Sequence, residues 1–97
     1  MIERIVLVKL NDEAVPDRQV IATYSQVLLA RIPGVVDVHV GRAADDQSAS
    51  AWDLALVLRF ESAADLAPYA VHPDHRAYVD EYLRPRMEAI RAWNFEL

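Results

Sequence analysis

The stretch Trp52-Asp53-Leu54-Ala55-Leu56-Val57-Leu58-Arg59-Phe60 places large apolar residues at every second position: Trp52, Leu54, Leu56, Leu58 and Phe60. Between them stand Asp53, Ala55, Val57 and Arg59, so the second face is apolar in its middle and charged at its ends. A period of two marks a strand, and apolar residues on both faces mark a strand inside a sheet rather than at its edge. Ile5-Val6-Leu7-Val8-Lys9-Leu10 has the same character, β-branched and almost continuously apolar. These two central strands constrain what the other segments can be.

Taken outward, Asn11 to Pro16 is a polar connection closed by a proline suited to the first position of a helix. From Asp17 the period lengthens, with Val20, Tyr24, Val27, Leu28 and Arg31 at steps of three and four and Ile21 and Ile32 widening the stripe. That predicts an amphipathic helix with Tyr24 in the helix–sheet core, stopped by Pro33-Gly34. Val35 to Gly41 alternates Val36, Val38 and Val40 against Asp37 and His39, a strand exposed on one side. Arg42 to Ser50 is polar and patternless and reads as a loop. Ser62 with Asp65 forms a capping-box-like start to a short helix, which Pro68 bends or shortens. Pro73 opens a longer helix with apolar positions at Ala77, Tyr78, Tyr82, Met87 and Ile90, interrupted at Pro85. Trp93, Phe95 and Leu97 alternate as a last strand.

The order β-α-β-β-α-β over residues 1–97 reads as a single α+β domain with a ferredoxin-like fold, a four-stranded antiparallel sheet carrying helices on one face. In that topology the first and third strands are central, and the second is an edge. The two-sided apolar pattern falls on the first pair, and Asp37 and His39 fall on the edge strand.

The apolar fraction is 54% against a usual ~45–50%, and a 97-residue chain has little interior in which to hide the surplus. The strips around Leu56 and Val57 would form an exposed apolar patch on the helix-free face. A homodimer with sheet packed on sheet is therefore expected. The net charge of −5, with no run of Lys or Arg, argues against nucleic acid as a partner. The absence of cysteine excludes disulfides and thiolate metal sites. The opening apolar run is too short for a signal core or a membrane span, so a cytoplasmic protein with no membrane partner is expected.

One corner concentrates the chemistry. Tyr69-Ala70-Val71-His72-Pro73-Asp74-His75-Arg76-Ala77-Tyr78 holds two histidines, two tyrosines and an arginine where one helix stops and another starts. His75, in the first helical turn, would be kept neutral by the positive helix end and is a candidate general base. His72 precedes Pro73 and is biased towards extended geometry, so the His72/His75 pair lacks helical register for a metal. No third ligand stands at a recognisable spacing, and no metal is expected. Arg84-Pro85-Arg86 and Arg91 are interleaved with Asp80, Glu81 and Glu88 and read as a charge-balanced surface. Trp93 reads as core or dimer interface.

Several segments together resemble the stress-response A/B barrel family: Ile5 to Leu10, Ile32-Pro33-Gly34-Val35, Trp52-Asp53-Leu54-Ala55-Leu56, Phe60-Glu61-Ser62, Tyr69 with His72-Pro73-Asp74-His75, and Trp93-Asn94-Phe95-Glu96. The resemblance implies dimers whose paired sheets form a barrel. Many members have no assigned activity, and one plant member closes a linear polyketide without a cofactor. In that cyclase the catalytic pair is a first-strand histidine and the second histidine of H-P-x-H, with a nearby tyrosine. These positions fall here on Arg4, His75 and Tyr69. Arginine stays protonated and cannot be a base, but it can hold a carboxylate or an enolate. The catalytic set implied is then His75 as base, Tyr69 as hydrogen-bond donor and Arg4 as anion clamp, with no cofactor. Trp52, Tyr24 and Phe60 are candidate apolar walls, and His72 is a further candidate ligand contact. Two readings stand side by side. One is a stable homodimer that binds a small apolar ligand, with His75 hydrogen-bonding backbone to fix the corner. The other is a cofactor-free cyclase-like lyase or isomerase acting on a small carbonyl compound.

Overall fold

A computed structural model describes residues 1–97. Its main elements are β1 (Ile2–Leu10), α1 (Arg18–Leu29), β2 (Asp37–Arg42), α2 (Asp46–Ala51), β3 (Leu54–Phe60), α3 (Leu66–Val71), α4 (Pro73–Ala77) and β4 (Met87–Glu96). The sheet order is β2-β3-β1-β4, with every neighbouring pair antiparallel. The ferredoxin-like arrangement stands, with β1 and β3 central.

Period two then assigns the faces. Ile2, Val6, Val8 and Leu10 of β1 join Leu54, Leu56, Leu58 and Phe60 of β3 in the core beneath the helices. Arg4 has the same parity and points to the same side. Glu3, Ile5, Leu7 and Lys9 point to the other side, beside Ala55, Val57 and Arg59 of β3 and Arg91, Trp93 and Phe95 of β4. Val57, not Leu56, belongs to this open face. Trp93 and Phe95 are 48% and 51% exposed on it.

Four expectations change. The buried face of α1 is Ile21, Ala22, Ser25 and Leu29, whereas Val20, Tyr24 and Val27 face solvent. The core accepts Ser25 because its hydroxyl donates to the Ile21 carbonyl (2.7 Å) and accepts from the Tyr78 hydroxyl (2.6 Å). The segment 42–50 is not all loop, since α2 forms behind Asp45, whose carboxylate accepts the Ser48 N–H at 2.7 Å. Trp52 and Asp53 precede β3 rather than open it. The helical run that starts at Pro73 passes through a π-helix (Tyr78–Leu83) and a 3-10 turn (Arg84–Arg86) and ends there, so Met87 and Ile90 lie in β4. Pro85 has no N–H to continue the ladder, and the alternating residues that follow pair with β1 along its whole length.

Two other expected devices are present. Ser62 and Asp65 make a reciprocal capping box ahead of α3. Gly34, with φ +96°, turns the chain after α1 in a conformation that side-chain-bearing residues avoid.

Candidate functional site

α3 and α4 meet at His72, which closes one helix and caps the other. Its φ of −59° and ψ of 135° leave the helical region, as expected before proline, and its Nδ1 accepts the Asp74 N–H at 3.1 Å. This cap aims the next turn inward and buries His75. The His75 Nδ1 lies 3.0 Å from the Ala70 carbonyl. A carbonyl only accepts, so Nδ1 carries the proton and Nε2 keeps its lone pair. Burial is the main force pushing the His75 pKa below the usual imidazole value. The Ala70 bond opposes it, and the Arg4 and Arg76 charges assist it. His75 is a neutral imidazole with Nε2 as its free acceptor.

Tyr69 packs beside it, its ring 4.3 Å from the imidazole and edge-on to Phe60 at 5.0 Å. Burial pushes the phenol pKa up to about 12, against the nearby Arg4 charge, so Tyr69 remains a donor. Arg4 enters from β1 on the opposite wall. Its Nη1 donates to Asn94 Oδ1 at 3.0 Å across the β1–β4 pair. Its Nε is buried without a hydrogen-bond partner.

Arg4, Tyr69 and His75 line one cavity of about 210 Å³ together with apolar groups that include Val6, Leu56, Val79 and Leu83. A second hollow of about 230 Å³ shares Arg4 and Tyr69 and extends towards Leu66 and Asn94. Sites for drug-sized ligands run to roughly 300–1,000 Å³, so the inner cavity suits a single ring or a short chain. Such an arrangement can hold an oxygen anion on Arg4 and Tyr69 and take a proton on His75 Nε2.

The other candidates lie elsewhere. Phe60 is fully buried behind Tyr69. Tyr24 stacks on Tyr82 at 4.1 Å on the outer surface, and His72 is engaged as a cap. Trp52 lines a different hollow, near α2. The walls that the sequence reading missed are Val79 and Leu83 of the π-helix and Ile90 and Ala92 of β4. The alternation of β4 carried a usable signal for the last two. The π-helix had none, although such bulges recur at functional sites.

Asp53 forms a separate centre of buried charge. Its side chain is fully buried. Oδ2 accepts the Leu10 N–H at 2.8 Å, and Oδ1 accepts from Arg18 Nε and Nη2 at 3.2 and 2.7 Å. Lys9 Nζ lies 3.4 Å from Oδ2. Burial alone would raise its pKa, but these donors outweigh it and hold the carboxyl below its usual value.

Fold and site together define a ferredoxin-like α+β domain with a bare apolar sheet face and a small cationic cavity under its helices. The model of the Stress responsive A/B Barrel Domain matches residues 2–97. The chain belongs to the stress-response A/B barrel family. It is 35% identical over 92 residues to a stress-response A/B barrel domain-containing protein of Arabidopsis thaliana. That match takes in 95% of this chain and 35% of the relative, so the chain spans about a third of the relative's length. Among solved structures, a dimeric ferredoxin-like protein of unknown function from Thermobifida fusca is 29% identical, with a TM-score of 0.81 over 99% of this chain and 90% of the other. A dimeric protein of unknown function with a ferredoxin-like fold from Bacteroides fragilis is 26% identical, with a TM-score of 0.78 over 99% and 95%. A Dabb family protein from Mesorhizobium loti, at 20% identity and a TM-score of 0.82 over 99% and 95%, shares the fold. No helix is long and apolar enough to cross a membrane.

Proposed function

We propose that the chain works in the cytoplasm as a homodimer packed through its open sheet face. Each copy holds one small, largely apolar ligand bearing a carboxylate or polarised carbonyl. The observation that carries the ligand reading is the Arg4 Nε, a buried charged donor with no acceptor in the chain. Such a group carries a desolvation penalty of about 1–3 kcal/mol or more, and a ligand oxygen in the adjoining cavity would remove it. The net charge of −5 favours a small molecule over a nucleic acid. Dimerisation is supported by the uncovered Ile5, Leu7, Val57, Trp93 and Phe95 face and by the dimeric relatives from Thermobifida fusca and Bacteroides fragilis. Titration of the ¹⁵N-labelled protein with small aryl carboxylates tests the ligand reading. Saturable shifts of the Arg4 Nε–H and the His75 ring are expected, and the absence of any saturable shift sinks it.

A second reading rests on one atom, His75 Nε2. A neutral, anchored imidazole can remove a proton from carbon beside a carbonyl, with Arg4 and Tyr69 holding the enolate. That would be the chemistry of a cofactor-free cyclase-like lyase or isomerase. Deuterium uptake at the α-carbon of a bound aryl ketone would be faster than with His75→Ala; equal rates refute this reading.

A further inference from the structure

The helical layer carries an aromatic stack on its outer surface, on the side away from the open sheet face. Tyr24 of α1 and Tyr82 of the π-helix lie ring over ring, with centroids 4.1 Å apart and planes inclined by 27°. Tyr24 is 42% exposed. Arg86 covers Tyr82 at 4.1 Å from its ring centroid and donates to the Tyr82 carbonyl at 2.7 Å. The Tyr82 ring is thus clamped, whereas Tyr24 borders solvent. The two remaining tyrosines are placed differently. Tyr69 and Tyr78 are buried, the Tyr78 hydroxyl is tied to Ser25, and the Tyr78 ring stands 6.0 Å from Tyr82. No thiol competes for an oxidant, because the chain has no cysteine.

We propose that Tyr24 and Tyr82 form an oxidative cross-linking site, at which a one-electron oxidant couples the two side chains into a dityrosine. Two equivalents of oxidant take one electron from each phenol, and each phenol releases its proton to water. The two neutral phenoxyl radicals then share their unpaired electrons in one C–C bond between the ring carbons ortho to the oxygens. Each of these carbons loses its hydrogen through water to its own ring's oxygen, which restores both phenols. The sum is two electrons to the oxidant and two protons to solvent. Coupling needs the stacked rings to slide until their edges meet, and the exposed Tyr24 ring has the room to do so. The bond ties α1 to the π-helix whose Val79 and Leu83 wall the inner cavity. The site rests on neither the dimer nor the ligand reading.

The test exposes the full chain, at micromolar concentration, to ruthenium(II) tris-bipyridyl and persulfate under visible light. The wild type should yield a product of single-chain mass, lighter by two hydrogen atoms, with the blue fluorescence of a biphenol. Peptide fragmentation should place the new bond between Tyr24 and Tyr82. Tyr24→Phe and Tyr82→Phe keep the stacked rings but remove one phenol, and each should abolish the intrachain product with unchanged far-UV circular dichroism. An intrachain biphenol that persists in either variant overturns the proposal. So does a biphenol confined to species of doubled mass, or oxidation of the wild type that leaves Tyr24 and Tyr82 unlinked.

Discussion

Asp53 and Arg4 are both charged side chains drawn inward towards opposite ends of the β1–β3 pair, and they end in opposite conditions. Asp53 is enclosed by Leu10 N–H, the Arg18 fork and Lys9, and every nearby donor serves it. Arg4 has one neutral partner, Asn94, and a buried Nε with none. A satisfied buried charge fixes structure. An unsatisfied one beside a cavity is a cost to the free protein that a ligand can offset.

The largest expected effect is at the closed centre. Asp53→Ala strands Arg18 and the Leu10 N–H and leaves Lys9 with the Ala49 carbonyl alone, and breaking a buried charged network of this kind costs about 3–5 kcal/mol. Urea unfolding measures it, and a loss below about 1 kcal/mol would place Asp53 with ordinary surface pairs. At the open centre the sign reverses. Arg4→Met should leave stability unchanged or raise it by up to about 1–3 kcal/mol, whereas a clear loss in the same unfolding assay would make Arg4 structural.

Acid separates the two centres further. The folded His75 pKa lies below its unfolded value of 6.5, so the unfolded chain takes the proton first. Stability is then full above pH 6.5 and falls as pH drops through the lower folded value. Asp53 is also depressed, but from 3.8, so its contribution holds until pH falls below 3.8. A melting series from pH 7 to 5 should slope downwards in the wild type and flatten in His75→Gln. Equal slopes would remove His75 from the account. The smallest stability effect belongs to Tyr69→Phe, which keeps the ring packing. A change within about 0.5 kcal/mol is expected, together with ligand affinity several-fold weaker from the lost donor. Calorimetry on the variant reads both.

Period two made the sheet legible in the two-sided patterns of Ile5 to Leu10 and Trp52 to Phe60, whereas the inward side of Arg4 follows from β1 starting at Ile2. The corner at His72 and Pro73 was legible because proline restricts both itself and its predecessor. The buried face of α1 was not, since Ser25 joins the core through the Ile21 carbonyl and through Tyr78, a partner 53 residues away. α2 carries no apolar stripe, and its signal was the Asp45 cap alone. At the site, residue identities could be read, but the proton on Nδ1 and the unpaired Nε depend on Ala70 and Asn94, whose positions only the folded chain sets.

The most direct test is isothermal titration of one small aryl carboxylate into the wild type and Arg4→Met, with the melting temperature of each recorded. Saturable binding by the wild type, weakened at least about ten-fold in a variant that melts no lower, is the predicted result. Equal affinity in both proteins, or a variant that binds poorly only because it unfolds, would contradict it.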